Sequence, residues 1–317
     1  MSGTSQSIWV ITDGRPGTKN QALGLAEALG RLRSFAIQAH NLEAGPVFRA
    51  MPPKVQLGLR GRPEHYGLNP PLPDVAIGCG RQAIAPLLAL KSRPGVRIIY
   101  IQDPRMDISA FDHIIAPEHD GLNGPNVIPI IGSPNRITGE RIAAATLKFN
   151  DRLESLPAPR LAMLIGGTSK TRKLTQANHA SHVSAARSAL ENHWSVMIST
   201  SRRTPDRVVN SYRDLAGNHD NVRLYDGRGD NPYFAFLGGA DVILVTEEST
   251  NMLTDACTTG KVTFRLPMHG KPGKLQKLYD RLETRCRVRP YDVRVNPEPY
   301  KALKETDRAA GLLLDML

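Results

Sequence analysis

Short apolar runs alternate with amphipathic stretches along this chain, and polar turns separate the two. The clearest example is Gly239–Lys261, where the run Val242–Val245 has the length and β-branched content of a buried parallel strand. A polar turn follows, and the helical pattern after it ends at Gly260. Apolar residues resume at Val262, so the segment predicts strand, turn, helix and strand of a doubly wound sheet.

The same alternation predicts two successive α/β domains. Further strands are predicted at Ser7–Thr12, Pro73–Ile77, Arg97–Ile101, Asp112–Ala116, Asn126–Ile131, Arg160–Ile165, Trp194–Ser199 and Val222–Tyr225. Residues 45–73 are rich in Pro, Gly and Arg and predict an irregular insertion with short helical pieces. The turn Pro157–Pro159 follows a predicted helix at Ile137–Leu153 and indicates the domain boundary. We therefore expect two Rossmann-like domains that face a cleft, over residues 1–155 and 156–298.

Polar turns at the carboxyl ends of the predicted strands are the candidate binding elements, because ligands of such sheets bind there. The turn 166–173 combines glycines, hydroxyls and cations, a composition that suits a diphosphate; a solvated basic loop is the alternative. A second hydroxyl and arginine cluster follows at 200–205. The candidate donor-binding residues in these two turns are Gly167, Thr168, Ser169, Lys170, Arg202 and Arg203.

The acidic turn Glu247–Glu248, followed by Ser249, conflicts with simple anion binding. Carboxylates favour a helix N-terminus and can serve stability alone, but they repel a diphosphate held by the same N–H groups. We therefore expect the phosphates to lie towards Lys170 and Arg202, with the glutamates left for sugar or ribose hydroxyls.

The first domain has its own polar turns, which we assign to the acceptor side. Asp13 ends the first strand and is the better candidate for a general base, and Asp103 at a later strand end is the second. A tight turn without function, or an Asp103–Arg105 pair, would explain the same residues. The remaining candidates in this set are Gly14, Arg15, Gly17, Asn20 and Gln82.

Net charge and composition limit the classes of molecule that the protein is expected to bind. The formal charge of +11 favours anions such as nucleotide phosphates or acidic lipid head groups. Nucleic acid is disfavoured because aromatic residues are few and no RNA- or DNA-binding motif is present. Neither the three cysteines nor the histidines have metal-ligand spacing, so no metal or cofactor is expected, and His179 and His182 predict a solvated helix face. No membrane-spanning run or signal peptide is recognised, so we expect a cytoplasmic protein with possible peripheral contact to the inner face of an anionic membrane.

Several motifs together resemble a known family. The order of strand, polar turn, acidic residue and glycine in Gly239–Lys261 is similar to the donor half of GT-B glycosyltransferases, including the peptidoglycan N-acetylglucosaminyltransferases. That resemblance implies that Asp255, five residues before Gly260, holds the nucleotide ribose, and that a C-terminal helix at 299–317 packs back on the first domain. The peptidoglycan enzymes carry a histidine in the first turn, whereas this chain has Thr18–Asn20 there.

The wider set of motifs more closely resembles bacterial members of the mitochondrial fission "elongated mitochondria" family. These motifs are ITDGRPGTKNQALGLAEAL, IGCGRQA, YIQDPR, GGTSK and TEES. The resemblance implies a GT-B-like glycosyltransferase that binds a nucleoside-diphosphate sugar in an interdomain cleft and needs no metal. The alternative is a non-catalytic scaffold that binds a protein partner. A short-chain epimerase is excluded because its G-x-x-G-x-x-G loop is missing. The sequence does not specify base, sugar, acceptor or oligomeric state.

Overall fold

The computed structural model describes residues 6–292 and 299–317. The chain divides into two compact units. The first contains the described residues up to Arg136 together with Lys304–Leu317, and the second is Ile137–Leu303. No helix in the described part of the chain is long and apolar enough to cross a bilayer.

The first unit is built on a six-stranded parallel sheet with the order β2-β1-β3-β4-β5-β6. Its strands are β1 (Gln6–Thr12), β2 (Phe35–Asn41), β3 (Val75–Cys79), β4 (Arg97–Ile101), β5 (His113–Pro117) and β6 (Val127–Ile130). Its helices, apart from short 3-10 turns, are α1 (Pro16–Leu32), α2 (Pro46–Ala50), α3 (Pro53–Leu59) and α4 (Ile84–Lys91).

Helices cover both faces of this sheet, which explains the nearly continuous apolar runs of its strands. Successive residues of β1 point to opposite faces: Ile8 and Val10 pack with α1, whereas Trp9 and Ile11 pack with α4. Strand β2 was not predicted. It lies at the sheet edge with most of its side chains exposed, so it lacks the apolar run of a central strand.

The second unit repeats the architecture with the order β12-β11-β10-β7-β8-β9, again all parallel. Its strands are β7 (Arg160–Ile165), β8 (Ser195–Thr200), β9 (Val222–Tyr225), β10 (Val242–Thr246), β11 (Val262–Leu266) and β12 (Arg289–Pro290). Its helices are α5 (Gly139–Lys148), α6 (Asn150–Glu154), α7 (Gln176–Glu191), α8 (Asp206–Gly217), α9 (Tyr233–Gly239), α10 (Thr250–Thr258) and α11 (Leu275–Cys286).

The observed division falls between Arg136 and Ile137, rather than at the expected 155/156. The reason is that α5 packs against α9: a Cβ added at Gly238 would lie 2.5 Å from Cγ2 of Ile142. The expected boundary at 298 lies outside the described residues.

A C-terminal helix, α12 (Glu305–Leu314), completes the first unit by packing against α1. Ala309, Ala310 and Leu313 are buried in the same core as the apolar face of α1. Arg31 and Asp307 form an ion pair of 2.6 Å between the two helices.

Candidate functional site

Three turns meet at the carboxyl edge of the second sheet, where β10, β7 and β8 are neighbours. We call residues 166–173, 200–205 and 246–249 the carboxyl-edge turns. Thr204 joins two of them, because its hydroxyl donates to the carbonyl oxygens of Ile165 and Gly166 at 2.9 and 2.8 Å. The sheet order therefore brings together the hydroxyl-rich, arginine-rich and acidic turns.

The two glycines of the first turn allow the other two turns to approach. Gly166 N donates to the Thr246 hydroxyl at 2.8 Å, and Gly167 N donates to Oε1 of Glu248 at 2.9 Å. A Cβ at Gly166 would lie 1.7 Å from Oε1 of Glu248, and one at Gly167 would lie 2.0 Å from the Arg203 carbonyl oxygen. A side chain at Gly167 would clash with the Arg203 backbone, and one at Gly166 would displace the Glu248 carboxylate. The amide of Gly167, a candidate donor-binding residue, already has an acceptor.

Glu248 occupies the centre of these turns. Its side chain is fully buried, and Oε1 lies 3.3 Å from Nη2 of Arg203, whose side chain is half exposed. The Oε2 atom is buried and has no hydrogen-bond partner among residues 6–292 and 299–317. Burial raises the pKa of Glu248, against the opposing effects of the Thr246 hydroxyl, the Gly167 amide and Arg203. The Oε1 atom of Glu248 therefore has hydrogen-bond partners, whereas its Oε2 atom has none among the described residues. Both belong to a carboxylate beside the half-exposed Arg203.

Glu247, the preceding residue, is buried in a separate cluster. Its carboxylate lies 3.2 Å from Nη2 of Arg172 and 3.1 Å from Nη1 of Arg265, and it accepts the Met268 amide at 2.7 Å. The Arg265 guanidinium also lies over the ring of Tyr279, 4.2 Å from its centroid. The expectation that both glutamates would be left for sugar or ribose hydroxyls is therefore wrong for Glu247, which neutralises two buried arginines.

The other predicted residues of the first turn divide into exposed and engaged groups. Thr168 accepts the Leu174 amide at 3.1 Å, and Ser169 accepts the Arg172 amide at 3.1 Å, so both hydroxyls close the loop on itself. Lys170 is exposed, as is Arg202 in the second turn. These two cations are therefore exposed members of the turns, whereas Arg172 belongs to the Glu247 cluster.

Helix α10 places the remaining second-unit candidates. Ser249 is its N-cap and accepts the Met252 amide at 3.4 Å. Asp255 lies on the helix and accepts a 2.8 Å hydrogen bond from the Tyr233 hydroxyl. Burial raises the pKa of Asp255 to about 7, although the hydrogen bond from Tyr233 opposes the shift. Sequence reasoning missed Tyr233, for which the local pattern carries no signal.

In the first unit, the turn between β1 and α1 is organised by Asp13. Its Oδ1 accepts the Thr18 hydroxyl at 2.8 Å and the Arg15 amide at 3.2 Å, and its Oδ2 lies 3.3 Å from Nε of Arg15. Gly14 adopts a φ of +74°, which favours glycine. Gly14, Arg15, Gly17 and Asn20 are exposed around this carboxylate.

Two further first-unit candidates make local contacts. Asp103 accepts the Arg105 amide at 2.7 Å, so it caps its own turn. The Gln82 side chain donates to the Arg49 carbonyl oxygen at 2.9 Å and thus supports α2. Asp13 and Asp103 both follow central strands of the first sheet at its carboxyl edge.

The histidines of α7 differ from their expected setting. His182 is buried, and its Nε2 lies 2.9 Å from the Pro267 carbonyl oxygen, so the prediction of a solvated face is wrong for this residue. Within residues 6–292 and 299–317, no group of three or more His, Cys, Asp or Glu side chains is placed to hold a metal ion.

These features define an α/β protein of two Rossmann-like domains with a GT-B-like fold. The chain belongs to the Mitochondrial fission ELM1 family, whose model matches residues 16–317. Mitochondrial fission protein ELM1 of Arabidopsis thaliana is 24% identical, with 61% of this chain covered; the chain spans about half (51%) of that relative. Uncharacterized protein RP120 of Rickettsia prowazekii (strain Madrid E) is 26% identical, with 81% of this chain and 82% of the relative covered.

Solved structures with the same fold include two UDP-GlcNAc 2-epimerases. The Neisseria meningitidis enzyme, bound to UDP-GlcNAc, has a TM-score of 0.56 and 12% identity over 98% of this chain and 99% of its own. The Methanocaldococcus jannaschii enzyme has a TM-score of 0.53 and 11% identity over 98% and 100%. The S. aureus MnaA–UDP structure gives 0.51 and 11% over 98% and 88%. At these identities the likeness shows the fold alone.

Proposed function

We propose that the protein binds a nucleoside-diphosphate sugar at the carboxyl-edge turns and transfers the sugar to an acceptor. The observation that carries the proposal is the buried Glu248 carboxylate, which lies beside the half-exposed Arg203. Its Oε2 atom has no hydrogen-bond partner in the part of the chain that the structure describes. An unpaired buried carboxylate oxygen is costly, and a ligand hydroxyl would satisfy it. Two proteins of the same fold have been solved with UDP-GlcNAc or UDP, which supports this class of ligand.

The exposed cations of the turns supply the charge that a diphosphate requires. Lys170, Arg202 and Arg203 would neutralise the diphosphate as it leaves, so the chemistry is proposed to need no metal ion. Glu248 and Asp255 would accept hydrogen bonds from sugar and ribose hydroxyls. Ser249 and the 167–169 backbone would then lie against the donor.

The proposed reaction breaks the bond between the anomeric carbon and the diphosphate oxygen and forms one from that carbon to an acceptor hydroxyl. The hydroxyl proton passes to a carboxylate, for which Asp13 is the first candidate and Asp103 the second. The Thr18 hydroxyl and the Arg15 amide fix the orientation of Asp13, which is what a general base needs.

Calorimetric titration with UDP and GDP tests the binding step. Arg203→Ala is expected to weaken nucleotide binding about 10-fold or more, since it removes a charged hydrogen-bond donor. Lys277→Ala is the matched control, because Lys277 is an exposed cation that lies on α11 and is not part of any of the three turns. Equal effects of the two changes, or NMR shifts of the 166–170 loop that stay unmoved on titration, would refute the site.

Mass spectrometry with UDP-sugars then distinguishes the activities. Transfer to an acceptor supports the enzyme, and formation of an epimer would replace transfer by a different reaction at the same site. Nucleotide binding without turnover would favour the non-catalytic scaffold. The similarity to a protein named for mitochondrial fission is the observation that keeps this second function under test.

A further inference from the structure

A basic, partly apolar surface lies in the first unit, whereas the carboxyl-edge turns belong to the second. It comprises residues 44–63, which we call the basic hairpin and which contain α2 and α3. Its exposed apolar side chains are Val47, Val55 and Leu59, with 71%, 47% and 62% of their surface accessible. Four cations and no Asp or Glu occur between Glu43 and Glu64. The cations are Arg49, Lys54, Arg60 and Arg62.

The geometry of α3 places apolar side chains outward. Gln56 is buried and faces α2, donating to the carbonyl oxygens of Phe48 and Met51 at 2.8 and 3.0 Å. Val55 and Leu59 are four residues apart, so they are neighbours on one side of the helix. Both are exposed, and the helix therefore presents a continuous apolar edge rather than one isolated residue.

The hairpin is held in place by polar contacts with its backbone. None of the residues of α2 is buried, and its main side-chain contact is that of the half-buried Phe48, whose ring centroid lies 6.4 Å from that of Tyr66. In addition, Arg81 donates to the carbonyl oxygens of Arg49, Ala50 and Met51 at 3.1, 3.0 and 2.6 Å. The arginine of the IGCGRQA motif thus anchors a surface whose apolar side chains Val47, Val55 and Leu59 are exposed.

We propose that the basic hairpin docks the protein on an anionic phospholipid bilayer. Its valine and leucine side chains would enter the head-group region, and its cations would contact lipid phosphates. A protein partner fits less well, because interface anchors typically combine arginines with aromatic residues, and the hairpin offers its arginines without an uncovered aromatic side chain on α2. Phe48, the aromatic residue of α2, is instead covered by the Arg60 guanidinium, 4.3 Å from the ring centroid. Although Lys54 lies near Asp107 and Arg62 near Glu64, the hairpin itself contributes four cations and no carboxylate, and this excess of positive charge suits a uniformly negative surface.

Sedimentation with vesicles of phosphatidylglycerol and phosphatidylcholine tests the apolar contribution. The double variant Val55→Glu/Leu59→Glu is expected to lose binding to anionic vesicles. Leu147→Glu is the matched control, because Leu147 is a 78% exposed leucine on α5 in the other unit. The control should bind as the wild type does. Circular dichroism shows whether each variant is folded. Titration with UDP shows whether the proposed nucleotide site is unchanged, so that a loss of vesicle binding can be assigned to the hairpin.

A second pair of variants tests the charge. Lys54→Gln/Arg62→Gln is expected to weaken binding to anionic vesicles about 25-fold, or roughly fivefold per cation at about 1 kcal/mol each. Arg187→Gln/Lys277→Gln makes the same change in net charge on α7 and α11 and should have a much smaller effect.

The proposal fails if wild-type protein binds neutral vesicles as well as anionic ones, or if both charge variants weaken binding equally. It also fails if Val55→Glu/Leu59→Glu changes the oligomeric state and leaves vesicle binding intact, which would identify the surface as a protein interface.

Discussion

Glu247 and Glu248 are adjacent in sequence, but the same substitution should reduce stability strongly at Glu247 and hardly at Glu248. Glu247→Gln removes the only carboxylate described between the buried guanidinium groups of Arg172 and Arg265. Breaking a buried ion pair by removing one partner typically costs about 3–5 kcal/mol. At a urea dependence of about 2 kcal/mol per M, the unfolding midpoint should fall by about 2 M.

Glu248→Gln should be nearly neutral for stability. The amide oxygen can still accept the Gly167 N–H, and the lost ion pair involves the half-exposed Arg203, so the cost should stay below about 1 kcal/mol. Because burial already raises the pKa of Glu248, a neutral side chain suits the site. Its effect should fall on nucleotide binding instead.

Tryptophan fluorescence during urea unfolding separates the two cases. The chain has two tryptophans, Trp9 in β1 and Trp194 before β8. A Trp9→Phe background therefore makes the signal report the second unit alone. Midpoint shifts of equal size for the two glutamine variants would contradict the assignment of Glu247 to structure and Glu248 to the ligand site.

Three further perturbations test other parts of the second unit. Gly166→Ala should destabilise it and weaken nucleotide binding, because a methyl group would clash with Glu248; Gly217→Ala meets no atom within 4 Å and is the control in the same melting experiment. Burial lowers the pKa of His182, so the unfolded state binds a proton at higher pH than the folded state does. The melting temperature should therefore drop as pH falls below about 6.5, and His182→Gln should reduce this dependence of the melting temperature on pH. Asp255 has the opposite sign: its pKa near 7 favours proton binding by the folded state, so stability should decline as pH rises from about 4 to 7, and Asp255→Asn should abolish that decline.

The periodic segments of the sequence predicted most central strands, because burial on both faces demands an apolar run. The same logic failed at Phe35–Asn41, which pairs on one side only and exposes most of its side chains. The sequence pattern also did not indicate that α5 belongs to the second unit. Its packing against α9 joins segments about ninety residues apart, a contact for which the local pattern carries no signal.

At the candidate site, the sequence identified the turns but not which of their residues stabilise the fold and which are available to a ligand. The sequence shows that the turns at the ends of two strands contain Gly166, Gly167 and Glu248, because glycines or acidic residues follow each apolar run directly. Which glutamate neutralises arginine depends on Arg172 and Arg265, which lie 75 residues before and 18 residues after Glu247. Only the sheet order brings those groups together.

The position of α12 has a consequence for biosynthesis. The second unit is one uninterrupted segment, Ile137–Leu303, and can fold as soon as that segment has left the ribosome. The first unit cannot close its core until Ala309, Ala310 and Leu313 have been made. At a translation rate of about 5–20 residues per second, roughly 10–60 s pass between the synthesis of α1 and that of α12. During this time the apolar face of α1 is exposed to water or to a chaperone. The half of the chain that is translated first is therefore the last to reach its native state.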